Sequence, residues 1–356
     1  MATPNNSFIR PYLITRSLQP ENQETPIKFM NTPNITDRLF FRRNHFSYPT
    51  LQFSHYWLPV HGLVQNPTLF TLQDLLRFPS KTFKVVLECA GNQRSKFEPK
   101  VFGEQWEKGA ISQGEWKGVP LKTLLTHVGM KDGAKEIVFE AYDYGSRTDS
   151  DQIHTFARSL PLEKALHPDT IIAYEYNQKP IPFKHGYPLR LIVPQWYAMA
   201  SVKWIKQIKV IDSKFTGPFQ TTDYVYYPEQ EGDKNSFPVT AIHVNSIIQK
   251  PLDMDTLNTG IHSIHGIAWT GKGQISKVEI STDNGSTWTL AKLGHYSGDR
   301  YGWIPWSYQW TVTKKGEYTI MSKATDSENR TQPEAAFWNR KGYGYNAIDI
   351  IKVRVE

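Results

Sequence analysis

Short apolar runs, rather than long amphipathic ones, organise the first two-thirds of the chain. Lys84-Val85-Val86-Leu87-Glu88 is brief, β-branched and apolar, so it predicts a buried strand. That strand runs directly into a small-residue turn, Cys89-Ala90-Gly91-Asn92. Asp169–Tyr176 and Leu189–Val193 read as strands for the same reason. Leu121-Lys122-Thr123-Leu124-Leu125 instead follows an i, i+3, i+4 apolar spacing, and Pro120 suits a first helical turn. Short strands mixed with short helices from about Pro33 to Tyr227 predict an α+β arrangement, without the regular βαβ rhythm of a doubly wound sheet. Beyond Pro238 the pattern becomes strands separated by turns. Ile275–Ser281 alternates, Asp283-Asn284-Gly285 turns the chain, and Thr287–Leu290 returns, which is a hairpin signal. Tyr308–Val312, Glu317–Met321 and Ile348–Val353 follow, and this density of short strands predicts a β-sandwich.

These patterns divide the chain into an extended arm over 1–32, a mixed strand-and-helix domain over 33–230 and a sandwich domain over 236–356. The arm is rich in Asn, Pro, Thr and Gln without a period, and the polar segment Pro228–Asn235 reads as the linker.

Composition narrows the function. The 356 residues are 39% hydrophobic and 21% charged, as expected of a folded chain with room for two domains. The balance of 41 basic to 34 acidic residues, net +7, suits anions. No basic run or repeat accompanies it, so nucleic acid is not an expected partner. No apolar stretch reaches the ~18 residues of a membrane span. The N-terminus shows no charged-then-apolar signal pattern, and Arg42-Arg43 precedes Asn44-His45 rather than an apolar run. Cytoplasmic and periplasmic locations both stay open, the cytoplasm being the first expectation. The single cysteine, Cys89, excludes an internal disulfide, a Cys-rich zinc or iron–sulfur site and a c-type haem attachment. Its thiol is either a small buried hydrophobe or one specific ligand or nucleophile. Arg94, close by in sequence, favours the thiolate.

Four segments in order carry a resemblance. They are FFRRNHF (Phe40–Phe46), LECAGNQR (Leu87–Arg94), WEKGAISQGEWKGVPL (Trp106–Leu121) and HGYPLRLIVPQWYAMASVKW (His185–Trp204). From about residue 40 onward the chain resembles the sulfite oxidase family of molybdopterin enzymes. The resemblance implies a molybdopterin-binding domain followed by an immunoglobulin-like dimerisation sandwich, and hence a homodimer. It implies Cys89 as the one protein ligand of molybdenum, and His45, Asp143, His185, Arg190, Ser201 and Lys203 around the pterin and its phosphate. Arg190 supports this independently, because a cation inside the apolar run Leu189–Val193 needs a buried anion. Arg43, Arg94, Trp106 and Tyr224 match positions of a substrate pocket for a small oxyanion. Such a pocket concentrates positive charge.

Two departures stand out. Gln93 replaces the first arginine of the cysteine signature. The segment Trp306-Ser307-Tyr308-Gln309-Trp310 lacks an arginine expected from the sandwich, for which Arg300 is a candidate substitute. Nothing matches a haem segment, so no haem is expected, and electrons would pass to an external acceptor, a cytochrome being one such partner. The implied activity is oxidation of sulfite to sulfate. A reductase of nitrate or an S-oxide on the same scaffold is the first alternative, and a non-catalytic cofactor-binding or scaffolding protein the second.

Overall fold

The computed structural model describes residues 12–52, 56–294 and 299–356. Sheet predominates over helix more than the sequence pattern suggests. One five-stranded sheet carries Lys81–Glu88, Ile111–Pro120, Ile171–Tyr176 and Lys179–Pro180, with Arg190–Ile192 paired to Ile171–Tyr176. A second carries Thr68–Thr71, Trp57–Gly62, Ile205–Ile211, Glu136–Arg147 and Ser150–Pro161. The helices are short. Leu72–Arg77 is closed by a capping box in which the Thr71 and Asp74 side chains each bond the other's backbone N–H. Leu121–Val128 starts after Pro120, buries Leu121, Leu124, Leu125 and Val128, and stops at Gly129.

Between them these sheets enclose one large apolar core, with Trp106, Trp116 and Phe139 fully buried in it. Strand Lys81–Glu88 is exposed at its start and buried over its last four residues, so it delivers Cys89 to the interior.

The C-terminal region stacks a four-stranded sheet on a five-stranded one. Ile248, Ile264, Trp306 and Trp310 from the first meet Val278, Ile280, Ile320, Ile351 and Val353 from the second in a separate core. The expected hairpin is present, with Ile275–Ser281 paired to Thr289–Leu290. Asn284 and Gly285 take positive φ at its turn, where Asn and Gly fit best.

The two regions are tightly joined. Trp269 donates to the Glu88 carboxylate at 2.8 Å, and Gly344 N–H donates to Ala90 O at 2.7 Å. Lys96 and Lys108 both pair with Asp349. The N-terminal segment read as an arm pairs with itself as Ile14–Leu18 and Glu21–Glu24, and buries Asn22 and Glu24 against the first region. Among the described residues no helix is long and apolar enough to cross a membrane.

Candidate active site

Strand ends and irregular turns converge on a cleft that encloses about 660 Å³ of space free of atoms. Cys89 enters at the end of its strand, where the chain turns through Ala90, Gly91 and Asn92. Arg43 and His45 arrive on an irregular segment after Phe41, and Tyr224 after the short helix Pro218–Thr221. His185, Arg190, Ser201 and Lys203 line the same cleft, Lys203 reaching back to Arg43 O and Asn44 Oδ1. Asp143 belongs to strand Glu136–Arg147, not to a turn. It lies where pairing with Ser150–Pro161 shifts register between Glu140 and Tyr144, an irregularity that re-aims side chains.

At the Cys89 end, His45 Nε2 and the Tyr224 hydroxyl are 2.7 Å apart. One Arg43 nitrogen lies 3.3 Å from His45 Nδ1. Burial and the cations Arg43, Arg147, Lys203 and Arg158 hold the His45 pKa well below its usual value, so the ring is neutral. Burial raises the Tyr224 phenol, so it keeps its proton. Burial also pushes the Cys89 thiol up, while Arg43, Arg94 and the Gly91 N–H pull against it.

The other end is rich in cations that lack carboxylate partners. Arg190 is 5% exposed, lies over the Trp116 ring and, among the described residues, donates only to the backbone oxygens of Ser201 and His185. Burial lowers its pKa to about 9. Lys203 donates to Arg43 O and to Asn44 Oδ1, and burial followed by Arg190 lowers it to about 7. His185 faces Asp37 O at 2.9 Å, and burial drives it down to about 3. The Ser201 hydroxyl accepts from Val193 N–H at 3.0 Å. Asp143 is the acidic member, 4% exposed. One of its carboxylate oxygens is buried without a hydrogen-bond partner, and burial raises it to about 6.

Residues 45–219 match the model of the oxidoreductase molybdopterin binding domain, and residues 236–356 that of the Mo-co oxidoreductase dimerisation domain. The chain belongs to the sulfite oxidase-like molybdenum oxidoreductase family. It is 32% identical over 368 residues to the mitochondrial sulfite oxidase of Drosophila melanogaster, which takes in 95% of this chain and 62% of that protein. The NADH nitrate reductase of Solanum lycopersicum is 31% identical over 94% of this chain and 40% of its own length. The chain thus spans under two-thirds of these relatives. The sulfane dehydrogenase SoxCD of Paracoccus pantotrophus aligns structurally with TM-score 0.83 and 25% identity, over 100% of this chain and 95% of that one.

The residues present fit the family's molybdopterin group. A metal bound through one protein thiolate needs one soft donor, and Cys89 offers it. A terminal phosphate needs buried cations free of carboxylates, which Arg190 provides. The unpartnered Asp143 oxygen awaits a donor. Of the expected residues, nine line the cleft and two do not. Arg94 folds back from it, donating to Glu104 O and Lys341 O at 3.0 Å each. Gly91, Gly103 and Gly342 pack around this side chain, and a Cβ at Gly91 would lie 2.5 Å from its guanidinium. Trp106 is fully buried behind the cysteine turn.

The sandwich contribution lies elsewhere than the sequence indicates. Trp306 is bonded to Ser246 in the sandwich core, Gln309 is exposed beside Ser263, and Arg300 is exposed. None of the three lines the cleft. The segment that packs against Tyr224 from behind the cleft is Asn339–Gly344. Its Tyr343 ring stacks on Tyr224 at 5.3 Å, and the Lys341 ammonium lies 3.3 Å from Asp223. Lys184 and Arg42 also line the cleft, and Arg158 lies behind Tyr224, none of them expected there from the sequence. The dense cluster Trp338-Asn339-Arg340-Lys341-Gly342-Tyr343-Gly344-Tyr345 was a legible signal; Arg158 between Ala157 and Ser159 carried none.

Proposed function

We propose that this protein oxidises sulfite to sulfate and passes the electrons to an external acceptor. The observation that carries the reading is His45 Nε2 at 2.7 Å from the Tyr224 hydroxyl, with an Arg43 nitrogen 3.3 Å from His45 Nδ1, in the cleft that Cys89 lines. That arrangement offers a hydroxyl and fixed positive charge to a small oxyanion. Likeness to a sulfite oxidase over nearly the whole chain supports it.

The reaction consumes sulfite and water and yields sulfate, two protons and two electrons. Molybdenum on its pterin supplies the two-electron oxygen-transfer chemistry when bound. Cys89 would hold the metal; His185, Arg190, Ser201, Lys203 and Asp143 would hold the pterin and its phosphate. Arg43 and Arg94 contribute positive charge near the thiol. Tyr224 Oη orients the anion, and the neutral His45 ring, accepting from Arg43 at Nδ1 and donating from Nε2 to that oxygen, leaves the hydroxyl hydrogen for the anion. Trp106 backs the cysteine turn and keeps it dry. The domains divide at about residues 230–236, and the sandwich, which we read as immunoglobulin-like, joins two copies by a closed two-fold interface.

Steady-state assays test the reading. Sulfite should reduce ferricyanide, and nitrate should not oxidise reduced viologen at a comparable rate. The nitrate reductase likeness supports the second reading. Nitrate turnover without sulfite turnover would install it. Light scattering should give twice the chain mass.

A further inference from the structure

Among the described residues Arg158 is a buried charge without an ion-pair partner. It lies on strand Ser150–Pro161, 3% exposed, flanked by Ala157 and Ser159 and opposite Phe139 on the neighbouring strand. Its Nε is buried with no hydrogen-bond partner, and one terminal nitrogen donates to Phe219 O. Among the described residues it makes no salt bridge; Asp223, the nearest acidic influence on it, is already paired with Arg147 and Lys341. Burying a cation in this way is costly unless something nearby uses it.

What it faces is the Tyr224 ring, with the guanidinium carbon 5.3 Å from the ring centroid. Tyr343 stacks on the same Tyr224, and Arg94 lies over Tyr343 at 5.3 Å. Tyr224 needs this support, because its backbone sits in the left-handed region at φ 57°, unfavourable for a bulky residue. Its hydroxyl meets His45. Arg158 is thus one ring away from the cleft and does not line it. Its charge nevertheless reaches the site, since it is among the cations that hold His45 neutral.

We propose that Arg158 is a positioning residue that sets the oxyanion affinity of the pocket, acting through Tyr224 from behind. The guanidinium holds the phenol ring in place by cation–π contact. Its uncompensated charge adds to the positive potential at the phenol hydroxyl and Arg43, where an anion is received. The sandwich segment Trp306–Trp310 places no charge there, so this guanidinium, from the catalytic region's own hairpin, complements Arg43. The proposal rests on the oxyanion reading of the site, but not on the direction of the redox reaction.

The experiment compares Arg158→Met, which keeps the stem and removes the charge, with Arg158→Lys, which keeps the charge. Sulfate binding to the purified holoenzyme is measured by calorimetry, and KM and kcat for sulfite by ferricyanide reduction. Arg158→Met should weaken sulfate binding and raise KM by roughly tenfold, with kcat changed less than about threefold. Arg158→Lys should restore most of the affinity. Unchanged sulfate affinity in Arg158→Met would overturn the proposal, as would a folded Arg158→Lys no better than Arg158→Met. So would a wild-type enzyme with no measurable sulfate affinity. If Arg158→Met does not fold, Arg158→Gln replaces it with the same expectations. Absence of sulfite turnover in a wild type that binds sulfate would count against the sulfite reading alone.

Discussion

The protein buries charge in two ways. Between the two regions, Lys96 and Lys108 converge on Asp349, which is 1% exposed and also accepts from Ile248 N–H. Every charge in that cluster has its opposite within reach. In the cleft, Arg190 has only backbone oxygens and the face of Trp116. Asp349 and Arg190 are both deeply buried, and pairing is what distinguishes them. A charge neutralised by its own chain joins parts of the fold. A charge left unpaired is a place kept for a ligand, because the chain alone does not compensate its desolvation.

The contrast can be broken most decisively at the thiol. Cys89→Ser should lower turnover by more than about 100-fold, beyond what loss of a supporting contact costs, while circular dichroism shows an unchanged fold. Retained turnover would remove Cys89 from the ligand role. Next is the paired cluster. Asp349→Asn leaves the buried Lys108 and the half-buried Lys96 uncompensated and should cost about 3 kcal/mol in urea unfolding. Lys108 and Lys96 hold the Asp349 carboxylate below its usual range despite burial. Its stabilising contribution is therefore complete above about pH 4, the unfolded value, and lost as pH falls through the lower folded one. The variant should lack that acid-induced loss.

Arg190→Met reverses the expectation for the unpaired cluster. Cofactor content should fall roughly 30-fold in affinity terms, whereas the melting temperature of cofactor-free protein should stay level or rise. A lower melting temperature without loss of cofactor would show that Arg190 serves the fold instead. The smallest effect is expected at the cleft rim. Glu21 accepts from Tyr48, Arg42 and Lys184, and these bonds hold it at about 2 against its burial. The site is partly exposed, so Glu21→Gln should cost about 1 kcal/mol or less. That difference should be present above about pH 4 and vanish as the carboxyl protonates toward its folded value.

Much of this was legible one segment at a time. The β-branched run into Cys89, the proline-led helix at Leu121 and the Asn-Gly hairpin each follow from local pattern, and each is present. The cation in Leu189–Val193 stood out from local pattern alone, and it is buried as that pattern predicts. Other features had no local signature. Asp143 read equally as a turn residue, and a register shift between two distant strands decides where it lies. Arg94 read as a pocket residue, but three glycines from separate segments form the space into which it turns away.

The sequence by itself determined the type of chemistry: one soft donor, a short list of cations and their order along the chain. Those follow from residue identity, which folding does not change. The fold alone sets which cations stay unpaired, that Asn339–Gly344 rather than Trp306–Trp310 packs against Tyr224, and that Arg158 lies behind that ring. Pairing depends on distance between residues far apart in sequence, and packing of the whole chain sets that distance.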